Sequence, residues 1–311
     1  FDKVTGPTFS PDGRLVAYVR DENTVFVYDT ETKSSKRVYE GEKIGACRFF
    51  PDGKSLLIAQ GEEKRTLVRL SLEGSTETVL ADDVPVLAFD LSADGKQLHA
   101  VLGDTGLWRI EVADPEKRER VCTFEDDIAF LRRSPDGGRF LCCSEDRIFQ
   151  IDASSGKEVG KALSPPSDEH GFGGVAWLDK NRILYALHKG DTELSTLFLH
   201  DLERDTGRQL ADRTYFTFPP SVAKNGPWVY VTICEPGVDP ESTGAYQISR
   251  IEVESGKQEK LTDEPKGAFC PVLDPKGQRI AFLVGAQEEE MRLVLMDLAD
   301  ARHPLTRTEA D

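Results

Sequence analysis

Ser10-Pro11-Asp12-Gly13, Phe50-Pro51-Asp52-Gly53, Ser92-Ala93-Asp94-Gly95 and Ser134-Pro135-Asp136-Gly137 are four spellings of one phrase. Three looser copies follow: Leu178-Asp179-Lys180-Asn181, Ala223-Lys224-Asn225-Gly226 and Asp274-Pro275-Lys276-Gly277. Counted on the last residue of each copy, the steps are 40, 42, 42, 44, 45 and 51 residues. A period near 40 kept along the whole chain marks repeated supersecondary units that stack into one body. Asp-Gly between apolar runs is a strong hairpin signal, because Gly takes positive φ without a Cβ penalty.

Each unit reads as four short strands. One apolar strand precedes the turn, as in 44–49 or 86–91, and a second follows it, as in 15–19, 55–59 or 140–143. A polar loop leads to a third strand, as in 24–28, 66–70 or 196–200, and a more polar fourth strand closes the unit, as in 36–39 or 77–80. Turn signals every 8–12 residues and no helical periodicity give an all-β chain. Two columns support this register. Four residues before each marker stand Phe9, Phe49, Leu91, Arg133, Trp177, Val222 and Leu273, mostly apolar, as an inter-sheet position requires. At the end of the third strand stand Asp29, Ser71, Glu111, Asp152, Asp201, Glu252 and Asp297, suited to accepting N–H groups of the next turn.

A single four-stranded sheet cannot bury both its faces, whereas a ring of them can. The expected fold is therefore a seven-bladed β-propeller of four-stranded antiparallel blades. It forms one domain over 1–311, with blades at approximately 1–40, 41–81, 82–124, 125–163, 164–211, 212–262 and 263–311. The first unit opens on its innermost strand and the last ends on its outermost near Leu305, so the ring is expected to close without a shared sheet.

The Ser-Pro-Asp-Gly turns, with an aromatic just before and apolar residues just after, resemble the TolB-type, WD-like propeller repeat. The same repeat is found in the propeller domains of prolyl-oligopeptidase-type proteins. The Gly-His and Trp-Asp signatures of true WD repeats are absent. The resemblance implies a binding role: an interaction platform, a sensor module, or a cap on a separate hydrolase domain.

Chemistry-bearing motifs do not add to this. There is no Gly-x-Ser-x-Gly nucleophile elbow, His-Glu-x-x-His, Gly-x-x-x-x-Gly-Lys or EF-hand loop. The five histidines, His99, His170, His188, His200 and His303, stand at no ligand-like spacing. No catalytic residue, resident metal or cofactor is assigned, and the expectation leans away from an enzyme. A channel site assembled from single residues of several blades, as in a lactonase-like hydrolase, escapes motif searches and is the alternative. The six cysteines have no CxxC spacing and mostly fall in strands, which points to apolar filler in a reducing, cytoplasmic compartment. The chain opens on Phe1 and shows no signal peptide, so a trimmed N-terminus leaves a periplasmic or extracellular location open.

A net charge of −16 argues against nucleic acid and anionic membranes, and no apolar run is long enough to insert. That charge is unevenly placed. Loops between second and third strands, together with the connections between blades, share one face of a propeller; the repeat turns lie on the other. Sorted in this way, the first face holds 28 acids and nine bases, and the remainder of the chain is +3. The expected function is a noncatalytic scaffold that binds a protein or peptide on this acidic face. A basic peptide is the favoured partner and a divalent cation a possible one. The candidate contacts are Glu62, Glu63, Asp104, Asp126, Asp127, Glu145, Asp146, Asp168, Glu169, Asp191, Glu193, Glu235 and Asp239, with His170 and Phe172 from the Gly-rich stretch His170-Gly171-Phe172-Gly173-Gly174. That stretch reads as part of a long connection between the fourth and fifth units.

Overall fold

The repeat phrase folds because its own side chains satisfy the turn. In the first, third and fourth copies the Ser hydroxyl donates to the Asp two residues on: Ser10 to Asp12 at 2.6 Å, Ser92 to Asp94 at 2.7 Å and Ser134 to Asp136 at 2.6 Å. The same Ser oxygen accepts the N–H of the residue opening the next strand: Leu15 at 2.8 Å, Gln97 at 3.0 Å and Arg139 at 3.0 Å. The glycines at 13, 53, 95 and 137 take φ between 67° and 78°, which favours Gly at the end of the phrase. Substituted copies use other donors and acceptors. Asp274 stands where Ser would and accepts Gln278 N at 2.7 Å and Arg279 N at 3.0 Å. Asp179 accepts Asn181 N and Arg182 N at 2.9 and 2.8 Å.

The structure, a computed structural model, describes residues 6–62, 64–84, 88–103, 105–190, 194–215, 220–222, 226–285, 291–298 and 308–309. Its first sheet is β1 (Thr8–Phe9), β2 (Leu15–Arg20), β3 (Thr24–Asp29) and β4 (Ser34–Glu40). The second is β5 (Ile44–Phe49), β6 (Ser55–Gln60), β7 (Arg65–Ser71) and β8 (Glu77–Val84). The third is β9 (Phe89–Leu91), β10 (Gln97–Leu102), β11 (Gly106–Glu111) and β12 (Asp114–Thr123). The fourth is β13 (Phe130–Arg133), β14 (Arg139–Cys143), β15 (Ile148–Asp152) and β16 (Glu158–Leu163). Then come β17 (His170–Trp177), β18 (Arg182–Lys189), β19 (Leu194–Asp201), β20 (Thr206–Tyr215), β21 (Ser221–Val222), β22 (Trp228–Cys234), β23 (Tyr246–Glu252) and β24 (Gln258–Lys260). The last sheet is β25 (Ala268–Leu273), β26 (Arg279–Val284), β27 (Arg292–Asp297) and β28 (Thr308–Glu309). All pairings are antiparallel and sequential, with one exception.

That exception corrects the expected count of separate blades. Five sheets are four-stranded, but β17–β24 form one eight-stranded sheet, because β20 pairs with β22 through Thr214 and Ile233. Arg213 makes the joint: with φ of 53° it sends its guanidinium to the carbonyls of Cys234 at 3.3 Å and Val238 at 2.7 Å. The Gly-rich stretch also departs from expectation. Residues 170–174 are the start of β17, paired with β18 through a bulge between Phe172 and Gly174. Leu305 lies outside the described residues; the closing strand is β28, paired with Val294 and Leu295.

Alternation within each strand sends side chains to two different neighbours. In β6, Leu56 and Ile58 join a cluster with Ala17, Val25 and Val27 of the first sheet, whereas Leu57 and Ala59 join Phe89, Leu98 and Ala100 of the third. Each interface repeats this scheme. The last closes the ring: Phe9, Val16 and Tyr18 pack with Ala281, Leu283 and Leu293. The fold is thus a propeller of antiparallel blades around an axis bordered by the first strand of each unit.

Candidate functional site

Two surfaces follow from this geometry: an upper face carrying the loops between second and third strands, and the ring of inner strands around the axis. The upper face comes first because the charge sorting points there.

Several of its carboxylates are paired. Glu62 meets Lys43, Asp126 meets Arg147 at 3.0 Å, Glu169 meets Lys189 at 3.0 Å, and Glu235 meets Lys260 at 2.5 Å. Lys260, at the upper end of β24, is a base that sorting by loops missed, since it lies within a strand; it also holds Asp263 at 2.8 Å. Such exposed pairs contribute little stability, about 0–1 kcal/mol each, but they remove charge from the face. Asp127, Glu145, Asp146, Asp168 and Asp239 are exposed and make no ion pair among the described residues. Glu63, Asp104, Asp191 and Glu193 lie outside the described residues.

The structure brings one group of these together. The loop carrying Glu145 and Asp146 is tied to the start of β17, where Phe172 N donates to Glu145 O at 3.0 Å. Gly190 N donates to Glu169 O at 2.9 Å, so the connection 164–169 lies over the β18 end of the same sheet. Asp126 and Asp127 adjoin through the Arg147 ion pair. The result is an acidic patch over the upper ends of the fourth sheet and of β17–β18. His170 sits at its edge, its Nδ1 2.8 Å from Ser167 Oγ. Phe172 does not belong to it: the ring is 6% exposed and packs edge-on against Tyr185 at 5.4 Å, so it is a core residue. Glu62 stands on the second sheet, and Glu235 and Asp239 in the β22–β23 loop, apart from this patch.

The axial ring holds residues that sequence reasoning missed. Five positions before each marker stand Thr8, Arg48, Asp90, Arg132, Ala176, Ser221 and Val272, and every one is half-buried. The residues just before them, such as Cys47, Phe89, Leu131 and Val175, are buried between blades. The half-buried column lies along the inner strands, near their lower ends. Its mixed chemistry hides it in sequence; only its constant offset from the marker could have revealed it. Arg48 approaches Asp90 at 3.6 Å. Asp90 accepts Leu91 N at 2.9 Å and Arg133 N at 2.8 Å. Burial lowers Arg132 to about 9, with Arg48 acting in the same direction and Asp90 in the other.

Among the described residues, cysteines and histidines form no further grouped site. All six cysteines are free thiols, five of them buried, and burial pushes Cys47 and Cys143 up to about 12, far from thiolate reactivity. Among the described residues no three His, Cys, Asp or Glu side chains are grouped to hold a metal, and no helix is long and apolar enough to cross a membrane.

No protein-family model matches the chain, and no curated protein matches it. Similar solved structures are propellers. One is an oligogalacturonate lyase in complex with manganese, 13% identical over 95% of this chain and 89% of that one, with a TM-score of 0.66. Another is the oligogalacturonate lyase of Vibrio parahaemolyticus, 12% identical over 96% and 89%, with a TM-score of 0.67. A third is TolB from Acinetobacter baumannii, 18% identical over 84% and 67%, with a TM-score of 0.59. At these identities the likeness is one of fold.

Proposed function

We propose that the chain is a noncatalytic propeller that binds a cationic protein segment on its acidic upper face. The reading counts seven blades. Leu184, Leu197 and Leu199 pack against Val229, Val231 and Ile251, so β17–β20 and β21–β24 meet face to face as neighbouring blades do, despite the one pairing that joins them. The observation that carries the function is the patch of Asp127, Glu145, Asp146 and Asp168, held on one side of the ring and unpaired by bases among the described residues. A surface field of one sign steers a partner of the other sign and fixes its orientation.

A Lys/Arg-rich peptide with a fluorescent label tests this reading. The native chain binds it, and binding weakens as salt rises, because the Debye length falls to about 3 Å at 1 M. The combined variant Asp127→Asn, Glu145→Gln, Asp146→Asn, Asp168→Asn binds at least about tenfold more weakly, a change of about 1.4 kcal/mol. Equal affinity for the variant, or no binding by the native chain, removes the proposal.

A further inference from the structure

We propose that the groove between the fourth sheet and β17–β20, on the side of the repeat turns, binds an aliphatic α-amino acid as its zwitterion. The site is separate from the acidic patch on the upper face and does not depend on a partner binding there. The groove holds about 490 Å³. Arg139, Gln150 and Asp152 line it on one side, and Lys180, Leu202 and Glu203 on the other.

Gln150 marks the groove as a built site. Its side chain sits in a residue only 4% exposed. Oε1 accepts Arg139 Nη1 at 2.7 Å, and because a guanidinium can only donate, this contact turns Nε2 the other way. Nε2 has no hydrogen-bond partner among the described residues. It faces the groove beside Gly160, where an added Cβ would stand 3.1 Å from it. Buried donors are nearly always satisfied, so this one calls for an acceptor from outside. The strand opposite opens the space: Ile148 pairs with Leu163 but Gln150 with Val159, and Gly160, with φ of 66–75° avoided by side-chain-bearing residues, lies in the resulting bulge of β16. At the same register in the second, third and sixth units stand Arg69, Arg109 and Arg250, each paired with a carboxylate. The fourth unit carries an amide instead.

The charges of the groove fix the class of ligand. Arg139 and Lys180 bring two cations, Asp152 and Glu203 two anions, and none of the four forms an ion pair among the described residues. Asp152 Oδ1 accepts Ser154 Oγ at 2.7 Å and Ser155 N at 2.8 Å, which leaves Oδ2 without a donor. Glu203 Oε2 accepts Asn181 Nδ2 at 2.9 Å, which leaves Oε1 open in the same way. A ligand with one charge of each sign suits this set: its carboxylate accepts from Gln150 Nε2 and Lys180, and its ammonium donates to Asp152 and Glu203. A simple anion or a simple cation meets two like charges instead. Arg139 is fixed as a wall, because it donates to the carbonyl of Lys180 and its guanidinium stands 5.2 Å from the Trp177 ring centroid. Half-buried Val159 and Leu202 offer apolar surface to an aliphatic side chain.

Calorimetric titration of the full chain with L-leucine at neutral pH tests the site. N-acetylleucine, which lacks the ammonium, and leucinamide, which lacks the carboxylate, are the comparison probes. Leucine binds with a Kd at or below about 1 mM, and each comparison probe binds at least about tenfold more weakly. Gln150→Glu keeps the acceptor for Arg139 but replaces the amide donor with a carboxylate, and it weakens leucine at least about tenfold. Lys180 is exposed, so Lys180→Gln, which weakens leucine severalfold, keeps the test sound if Gln150→Glu fails to fold. Neutralising Glu145 and Asp146 leaves leucine affinity unchanged, which separates this site from the peptide surface. Absence of leucine binding, a comparison probe that binds as tightly as leucine, or indifference to Gln150→Glu or to Lys180→Gln overturns the proposal.

Discussion

His99 shows how a single buried side chain makes this fold sensitive to pH. It lies on β10, 1% exposed, with its ring 4.8 Å from that of Phe140 and Nδ1 3.4 Å from Arg133 Nη1. Burial first, then the charges of Arg133 and Arg109, lower it from 6.5 to about 3. Between those two values the unfolded chain holds a proton at this position and the folded chain does not. Stability therefore falls as pH drops through that window, by about 1.4 kcal/mol per pH unit, and is unaffected by this group above 6.5. The carboxylates of Asp12, Asp94 and Asp136 are lowered by their Ser and backbone donors, so their contribution is lost only at more acid pH, below the ordinary carboxylate value near 3.8. Urea denaturation at pH 7 and pH 5 isolates His99. The destabilisation caused by His99→Leu is about 2 kcal/mol smaller at pH 5 than at pH 7. An equal loss at both values would mean that the imidazole is charged in the folded protein.

At the scale of strands, what was legible in the chain was what short-range chemistry decides. The hairpin between β1 and β2, or between β13 and β14, is written in four consecutive residues, and the hydrophobic runs after each turn mark β2, β6 and β14 to within a residue or two. What stayed hidden depends on residues far apart. Gly171, Gly173 and Gly174 look like a connector, yet β18 supplies the pairing that makes them strand. The merger of β20 with β22 rests on Arg213 reaching residues more than twenty positions away. The acidic loops were visible as composition, but the Glu235 pairing with Lys260 required the two strands to be placed. Arg213 permits a test at this scale. It anchors the β22–β23 loop through Cys234 and Val238, so Arg213→Ala frees the segment 235–244 without removing core volume. A Glu-specific protease then cuts after Glu241 about tenfold faster than in the native chain, for a loss of about 1.4 kcal/mol of local stability. An unchanged cleavage rate in a variant of native melting temperature would show that the loop is held elsewhere.

Across the whole molecule, the blades are stitched on the lower face by arginines that cross from one unit to the next. Arg139 donates to the carbonyl of Lys180, and Arg208 reaches the carbonyls of Val253 and Glu254. Arg182 pairs with Glu254 at 2.8 Å. Arg279 performs this task at the joint where the ring closes. Its Nη2 donates to Gly13 O at 2.5 Å, 266 residues away, and its guanidinium stands 5.8 Å from the Phe9 ring centroid. Its Nε lies 3.5 Å from Asp274, whose side chain is 1% exposed. Among the described residues no strand pairing joins the first and last sheets, and closure draws on the Phe9–Leu293 cluster and on this residue. Arg279→Ala removes a charged donor and leaves the buried Asp274 carboxylate without its cation, a cost of about 2–4 kcal/mol. In a ring of nearest-neighbour units that loss is felt first at the joint. Hydrogen exchange reads it directly: amides of β1–β2 and β25–β26 exchange faster in the variant, while those of β10 and β14 keep their native rates. Uniform acceleration through every sheet would instead mean that the ring opens only by unfolding as a whole, and that the closing joint has no separate stability of its own.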